Sequence, residues 1–399
     1  MHYLELGGAE TALIGLLRAW DYSVADVDLF LHSHRGEMMR YIPAEVRLLP
    51  EIKDYTLIES PIKDTLRNFR FGIAYGRWKA RREHLRFIGR NPQPTGDAEF
   101  GYIGCYVTPH LPPVSDTVYD MAISFLAPHD IVLRKVKAKK KICWIHTDYT
   151  SIGHNATLEA PVWDGYDRIV SISPAVTAAF LKRHPSLSQK IIGINNILSP
   201  EIVRGRAGES APAEFHPDTF NILSVGRFSM TKNFHLIPMI LKRVINLTGR
   251  TDLKWFIIGY GGEETRIRRS ITDEGMEGNV ILLGKRENPY PYIAGCDLYV
   301  QPSLYEGRSV TVREAQMLGR PVVITAYPTS GSQLENGADG IIVPLDPEGC
   351  AAGLAGIIGD ESLRARLSAT CLNRDYSDSS EVSRLLQEIP GQEVDKKLN

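Results

Sequence analysis

The stretch Leu298–Thr325, LYVQPSLYEGRSVTVREAQMLGRPVVIT, decides the fold. LYVQPS reads as a buried strand, LYEGRS as a loop, VTVREAQMLG as a helix ending near Gly319, and RPVVIT as the next strand. Two apolar runs joined through a helix make a β-α-β unit, which places the strands in a parallel sheet. The unit carries Glu306 on its loop and Glu314 within its helix. A carboxylate is a bidentate acceptor for neighbouring hydroxyls, so sugar or ribose diols are natural partners. Glutamate is also a good helix former, and pairing of Glu314 with Arg313 or Arg320 is the plain alternative.

The same rhythm extends in both directions. VDLFLHS, MAISFL, KICWIHT, RIVSIS and KIIGINNI are strand-like in the first half, and FNILSVGR, KWFIIGYG, VILLG and GIIVP in the second. Helical patterns follow many of them, including Thr11–Ala19, Ala175–Lys182 and His235–Asn246. The Pro-, Gly- and charge-rich segment 200–218 breaks this rhythm and reads as a linker. The expected organisation is a domain over 1–199, the linker, a second domain over 219–372, and a helix with a polar tail over 373–399.

A chain of 399 residues with a net charge of −1 is long enough for two cores and offers no global attraction to nucleic acid. The five cysteines are scattered without a C-x-x-C pair, which fits reduced thiols and a cytoplasmic address. The sequence shows neither a secretory leader nor an apolar run of spanning length. D-x-D at Asp26–Asp28 opens a strand rather than a metal loop, and N-x-T at Asn155 lacks a secretory context.

Four further segments carry candidate chemistry. In SVGRFSMTKN a strand ends at Gly226, with Arg227 and Lys232 just beyond it, a cation pair suited to a diphosphate. In IIGYGGEE, Gly259, Gly261 and Gly262 permit either close approach of a ligand or a tight strand-to-helix turn. In LELGGAE, Gly7 and Gly8 precede a helix. In KICWIHTD, His146 and Asp148 end a strand.

The order of GGAE, HTD, VGRFSMTKN, GYGG and EGRSVTVRE resembles the retaining glycosyltransferase family 4. The likeness to bacterial enzymes of capsule, exopolysaccharide and lipopolysaccharide assembly is strongest from Phe220 to Pro344. The resemblance implies a GT-B fold, two Rossmann-like doubly wound domains facing an interdomain cleft. It implies transfer of a hexosyl unit from a UDP- or GDP-linked donor to a lipid-linked or growing polysaccharide acceptor, with no resident cofactor or metal. By motif, Arg227 and Lys232 hold the diphosphate, with Gly226, Gly259 and Gly261 beside it. Glu306 takes the sugar hydroxyls, Glu314 the ribose, and His146 lies near the reaction centre. Gly7 and Gly8 lie under the diphosphate. Two departures stand out: only Met1–Leu6 precede Gly7, so the first strand is short, and the usual EGFG is EGRS, which puts Gly307, Arg308 and Ser309 beside the sugar. A sugar-nucleotide epimerase or hydrolase and a non-catalytic sugar-nucleotide-binding subunit remain alternatives.

Two basic segments, 63–90 and 133–141, bear on the acceptor. The first interleaves Lys63, Arg67, Arg70, Arg77, Lys79, Arg81, Arg82, Arg86 and Arg90 with aromatic residues, a mixture suited to an anionic bilayer. A solvated helical face is the alternative reading.

Overall fold

The computed structural model describes residues 1–5, 7–90, 98–146, 149 and 154–391. The chain divides into two compact units. One holds Met1–Leu198 together with the C-terminal segment from Asp378, and the other holds Ser199–Ser377.

In the first unit β1 (Asp28–Leu29) and β2 (Arg47–Leu48) form a parallel pair. A separate sheet orders β3 (Val118–Ser124), β4 (Lys137–Ile145), β5 (Arg168–Ser171) and β6 (Ile191–Gly193), all parallel. Met1–Leu4 is not part of a named strand but runs extended beside residues 30–35. The His32 N–H donates to the Met1 carbonyl, Ser33 to His2, and Leu4 to Arg35. A smaller core of Tyr55, Ile58, Ile73, Val107, Leu111 and Ile131 seats the helix Phe71–Arg90.

Asp28 of the D-x-D sequence is tied down by Arg47 and by the Tyr119 hydroxyl at 2.8 Å. Asn155 of the sequon caps the helix Ala156–Asp164, accepting from the Leu158 N–H at 3.2 Å. Both motifs serve local structure.

The second unit contains β7 (Phe220–Val225), β8 (Leu253–Ile258), β9 (Val280–Gly284), β10 (Leu298–Gln301), β11 (Val322–Thr325) and β12 (Ile341–Val343). They form one parallel sheet in the order β12-β11-β10-β7-β8-β9. Counted along the chain this is the doubly wound order 3-2-1-4-5-6, with the direction of winding reversing between β7 and β10. All six residues of β7 are buried, as expected of a central strand covered on both faces. Its polar members are satisfied: Ser224 donates to the Val300 carbonyl at 2.6 Å and accepts from Trp255 Nε1 at 2.9 Å. The helix Ile237–Thr248 buries Ile237, Ile240, Leu241 and Val244, the helical spacing of one apolar face.

The segment expected as a linker, 200–218, opens instead with the helix Pro200–Ala207. Ser199 caps it by accepting from the Ile202 N–H, Pro200 suits its first turn, and Ile202 and Val203 are buried. Its apolar face is too short to stand out among Pro, Gly and charge in the sequence. The end of the chain returns to the first unit: Leu385, Leu386 and Ile389 are buried, Glu388 pairs with Lys140, and Arg168 lies 3.5 Å from Glu388.

The basic segment 133–141 is not a free cationic patch. Its charges are met by Asp116, Asp120, Asp130 and Glu388, and Lys141 Nζ donates to the Leu133 carbonyl. Only the Asp130–Arg134 pair, one helical turn apart, was open to the sequence; Asp116 and Asp120 come from the loop before β3 and from its start, and Glu388 from far along the chain.

Candidate donor-binding site in the second unit

The carboxyl ends of β7 and β10, where the winding reverses, are the place at which doubly wound sheets bind ligands. Gly226 and Arg227 leave β7, and Ser303 and Glu306 follow β10. Lys232, on the short turn Met230–Lys232, reaches across to donate to Glu306 Oε1 at 2.6 Å. Their side chains are 18% and 11% exposed, so the pair is partly withdrawn from water yet reachable. Ser303 Oγ donates to the same carboxylate oxygen at 2.6 Å.

A relay of hydrogen bonds fixes this carboxylate. Tyr299 donates to Gln301 Oε1 at 3.0 Å, and Gln301 Nε2 donates to Ser303 Oγ at 3.0 Å. Thr329 holds the Glu306 carbonyl at 2.6 Å, and Thr325 holds that of Ser303 at 2.5 Å. Arg227 is exposed and has no hydrogen bond or ion pair among the described residues.

The helix Val310–Met317 begins at this point, its Thr311 hydroxyl reaching the Val225 carbonyl at 3.5 Å. Gly307 and Arg308 are half-buried on the loop before it. Ser309 is 4% exposed, and its N–H donates to Gln333 Oε1 at 2.6 Å. Ser309 is therefore a buried tie between loop and helix. Glu314 is also inside, 4% exposed, and accepts from the Tyr290 hydroxyl at 2.8 Å. Burial lifts its pKa to about 7, against the opposing effects of the Tyr290 hydrogen bond and the nearby cations Arg206 and Arg313.

Gly259 and Gly261 have a local reason to be glycine. The Gly226 N–H donates to the Ile258 carbonyl and the Phe228 N–H to that of Tyr260, laying the loops after β7 and β8 against each other. A Cβ on Gly259, at φ +156°, would come within 1.9 Å of the Gly226 carbonyl oxygen. One on Gly261, at φ +149°, would meet that of Phe228 at 2.5 Å. Gly259→Ala is expected to destabilise the second unit by about 2–3 kcal/mol through forced backbone displacement. Gly262→Ala, with nothing within 4 Å of its Cβ, serves as the control; urea midpoints compare the two.

The remaining sequence candidates belong to the first unit. Gly7 caps the helix Gly8–Ala19 in extended conformation, and a Cβ on Gly8 would meet nothing within 4 Å. His146 follows β4, with its ring 4.6 Å from that of Phe125 and stacked on Trp144. Burial lowers its pKa to about 4, which keeps the imidazole neutral at physiological pH. Asp148 lies outside the described residues.

The structure thus gathers Gly226, Lys232, Glu306 and the start of the Val310–Met317 helix, and sets Glu314 deeper, under Tyr290. Sequence reasoning missed Gln301, Ser303, Thr311, Thr329 and Gln333, which orient the carboxylate and its loop. Short polar residues at strand ends look like ordinary turn formers, and only the sheet order shows which of them converge.

Comparison with known proteins places this site within a recognised domain. Residues 208–371 match the family model of glycosyl transferases group 1. The lipopolysaccharide core biosynthesis glycosyltransferase LpsE of Rhizobium meliloti (strain 1021) is 30% identical over 148 residues, 37% of this chain and 42% of the relative. The N-acetylgalactosamine-N,N'-diacetylbacillosaminyl-diphospho-undecaprenol 4-alpha-N-acetylgalactosaminyltransferase of Campylobacter jejuni subsp. jejuni serotype O:2 (strain ATCC 700819 / NCTC 11168) is 32% identical over 145 residues, 36% of this chain and 38% of the relative. The matches thus span about two-fifths of the length of these curated relatives. The crystal structure of Anabaena Alr3699/HepE in complex with UDP and glucose superposes with a TM-score of 0.65 at 15% identity, covering 97% of this chain and 98% of that one. That likeness extends over both units and gives the fold as GT-B. Residues 208–371 are a glycosyl transferases group 1 domain, carried by a chain of GT-B architecture.

Proposed function

We propose that the chain transfers a hexosyl unit from a nucleotide diphosphate sugar, with retention of anomeric configuration, to a lipid-linked or growing saccharide in surface-polysaccharide synthesis. The observation that carries this reading is the Lys232–Glu306–Ser303 constellation at the reversal point of the sheet. The lipid-linked acceptor rests on the diphospho-undecaprenol chemistry in the name of the Campylobacter relative. UDP as the donor nucleotide rests on the ligand of the Anabaena structure, with GDP the alternative.

The chemistry follows from the leaving group. As the glycosidic C–O bond breaks, negative charge grows on the diphosphate. Arg227, Lys232 and the N–H groups opening the Val310–Met317 helix stabilise that charge more in the transition state than in the ground state. Before donor arrives, Glu306 neutralises Lys232; with donor bound, the ammonium turns to phosphate and the carboxylate accepts from sugar hydroxyls. This scheme needs neither a protein nucleophile nor a resident metal. The two glutamates grip one donor and are not an acid–nucleophile pair. Incubation with radiolabelled UDP- and GDP-hexoses and a bacterial lipid extract tests the reading. Label is expected in the lipid fraction; free sugar or epimer without acceptor, or saturable binding without turnover, overturns it.

The acceptor side is served by a peripheral contact with the cytoplasmic membrane face. On the helix Phe71–Arg90, Ile73, Gly76 and Ala80 face the protein. Phe71, Tyr75, Trp78 and Leu85 form a second stripe at helical spacing, 62%, 55%, 51% and 58% exposed. Arg82 lies over the Trp78 ring at 5.2 Å, and Lys79, Arg81 and Arg86 flank the stripe. Aromatic residues ringed by cations suit an anionic interface. Trp78→Ser with Arg81→Glu and Arg82→Glu is expected to lower flotation with phosphatidylglycerol-containing vesicles at least about tenfold, each charge near the surface contributing about 1 kcal/mol. Unchanged flotation would remove this surface from the proposal.

A further inference from the structure

Three segments of the first unit bring together side chains that the donor chemistry does not use. His2 lies in the extended segment Met1–Leu4, His32 follows β1, and Glu59 stands on the turn before the helix Ile62–Arg67. The backbone pairing of residues 1–4 with 30–35 sets the two histidines side by side, their ring centroids 4.6 Å apart at 72°. They are 9% and 5% exposed, whereas Glu59 reaches solvent. One ligand atom from each of the three residues lies within 4.8 Å of the others.

The hydrogen bonds around His2 leave an electrostatic conflict. Its Nε2 is 2.9 Å from the Ala127 carbonyl oxygen. A carbonyl only accepts, so Nε2 carries the proton. In a neutral imidazole Nδ1 is then a lone pair, and Nδ1 is the atom that faces Glu59 Oε1. Two acceptors in contact repel unless a proton or a cation sits between them. Nearby, His32 Nδ1 is buried with no hydrogen-bond partner among the described residues. The other carboxylate oxygen of Glu59 is oriented by Arg35 Nη2 at 3.3 Å.

Two imidazoles and one carboxylate are a donor set for a borderline divalent metal such as zinc, with further positions open to water. The contact from His2 Nε2–H to Ala127 is the kind that fixes the tautomer and ring orientation of a metal-ligating histidine. Glu59, the exposed member, supplies the side-chain freedom needed to open the cluster to metal–ligand distances of about 2.0–2.2 Å.

We propose that His2, His32 and Glu59 bind one divalent transition-metal ion of the zinc type per chain. The ion fastens the extended segment ahead of Gly7 to the strand and turn beside it, a structural role independent of the transfer reaction. The competing state is an imidazolium of His2 paired with Glu59 and no metal.

The test uses the full chain, treated with chelator and then titrated. Zinc binding is read by calorimetry and cobalt binding by its visible d–d absorption. One equivalent is expected, with cobalt bands of low coordination number. His32→Gln is expected to abolish the bands, and Glu59→Gln to weaken binding at least about tenfold. Glu59→Gln changes an exposed side chain and carries the test whether or not His32→Gln folds. His110→Gln, an exposed histidine elsewhere in the unit, is the control and keeps full binding. The proposal is overturned if stoichiometric binding survives Glu59→Gln unchanged. It is equally overturned if the chelator-treated chain takes up neither zinc nor cobalt, and nitrogen NMR showing both His2 nitrogens protonated would then identify the competing ion pair.

Discussion

Lys232→Ala is expected to lower turnover about 10²–10³-fold, the usual loss when one pre-positioned partner of a developing anion is removed. The effect should fall mainly on kcat, because charge on the diphosphate is largest in the transition state. Stability should change little: Lys232 sits on a short surface turn, and its ion pair is only partly buried. Glu306→Gln, which keeps the shape and the Ser303 contact but loses the charge, is expected to raise KM for donor and lower kcat together. Arg227→Ala should cost less than Lys232→Ala, since Arg227 is exposed and not pre-positioned. Steady-state rates over a range of donor concentrations, beside far-UV circular dichroism of each variant, check all three. Near-normal rates for both Lys232→Ala and Glu306→Gln would remove the site from the carboxyl ends of β7 and β10.

Acidification from pH 6.5 to 5 is expected to destabilise the first unit and not the second. Burial lowers the pKa of His129 to about 3, and of His146 and His184 to about 4. A histidine near its ordinary value of 6.5 in the unfolded chain binds a proton that these folded sites refuse. Stability therefore falls as pH drops below 6.5, by roughly 1.5 kcal/mol per group over this window. Glu159 acts oppositely, because burial raises its pKa to about 7 and the folded state holds a proton that the unfolded chain releases. One carboxyl against three imidazoles leaves a net loss of about 3 kcal/mol for the first unit. In the second unit Glu314, raised to about 7 by the same cause, gains stability over the same window. Trp20, Trp78, Trp144 and Trp163 lie in the first unit and Trp255 in the second. Urea unfolding followed by tryptophan fluorescence should thus shift to lower midpoint at pH 5, with a separate later phase in circular dichroism. A single coincident transition at both pH values would contradict the expectation.

How much of this was legible beforehand depended on whether the cause lay nearby in sequence. The strand–loop–helix–strand reading of 298–325 survives almost unchanged, because the apolar run Leu298, Tyr299 and Val300 announces β10 and four β-branched residues, Val322 to Thr325, announce β11. The convergence of Lys232 with Glu306 was legible only through family motifs, since a bond across 74 residues has no local pattern. Glu314 illustrates the opposite case. Its helical position was plain, but its enclosure under Tyr290 depends on the packing of a helix from the preceding crossover. The helix Pro200–Ala207 was hidden by composition, as Pro at the first turn and Gly inside it look like a linker. Apart from the Asp130–Arg134 pair, the charge compensation of 133–141, like the pairing of His2 with His32, joins segments distant in sequence and could be read from no single window.

The return of the C-terminal segment to the first unit fixes an order of events during synthesis. The second unit is one continuous stretch, Ser199–Ser377, whereas the first is completed only by residues from Asp378 onward. A ribosome releases all of the later domain before the last element of the earlier one. The N-terminal unit must therefore wait, with the surface for Leu385, Leu386 and Ile389 uncovered, while the downstream unit folds. Removing the segment from Asp378 onward as a dispensable tail would leave the nascent protein permanently at that stage, with a finished second unit and an unfinished first.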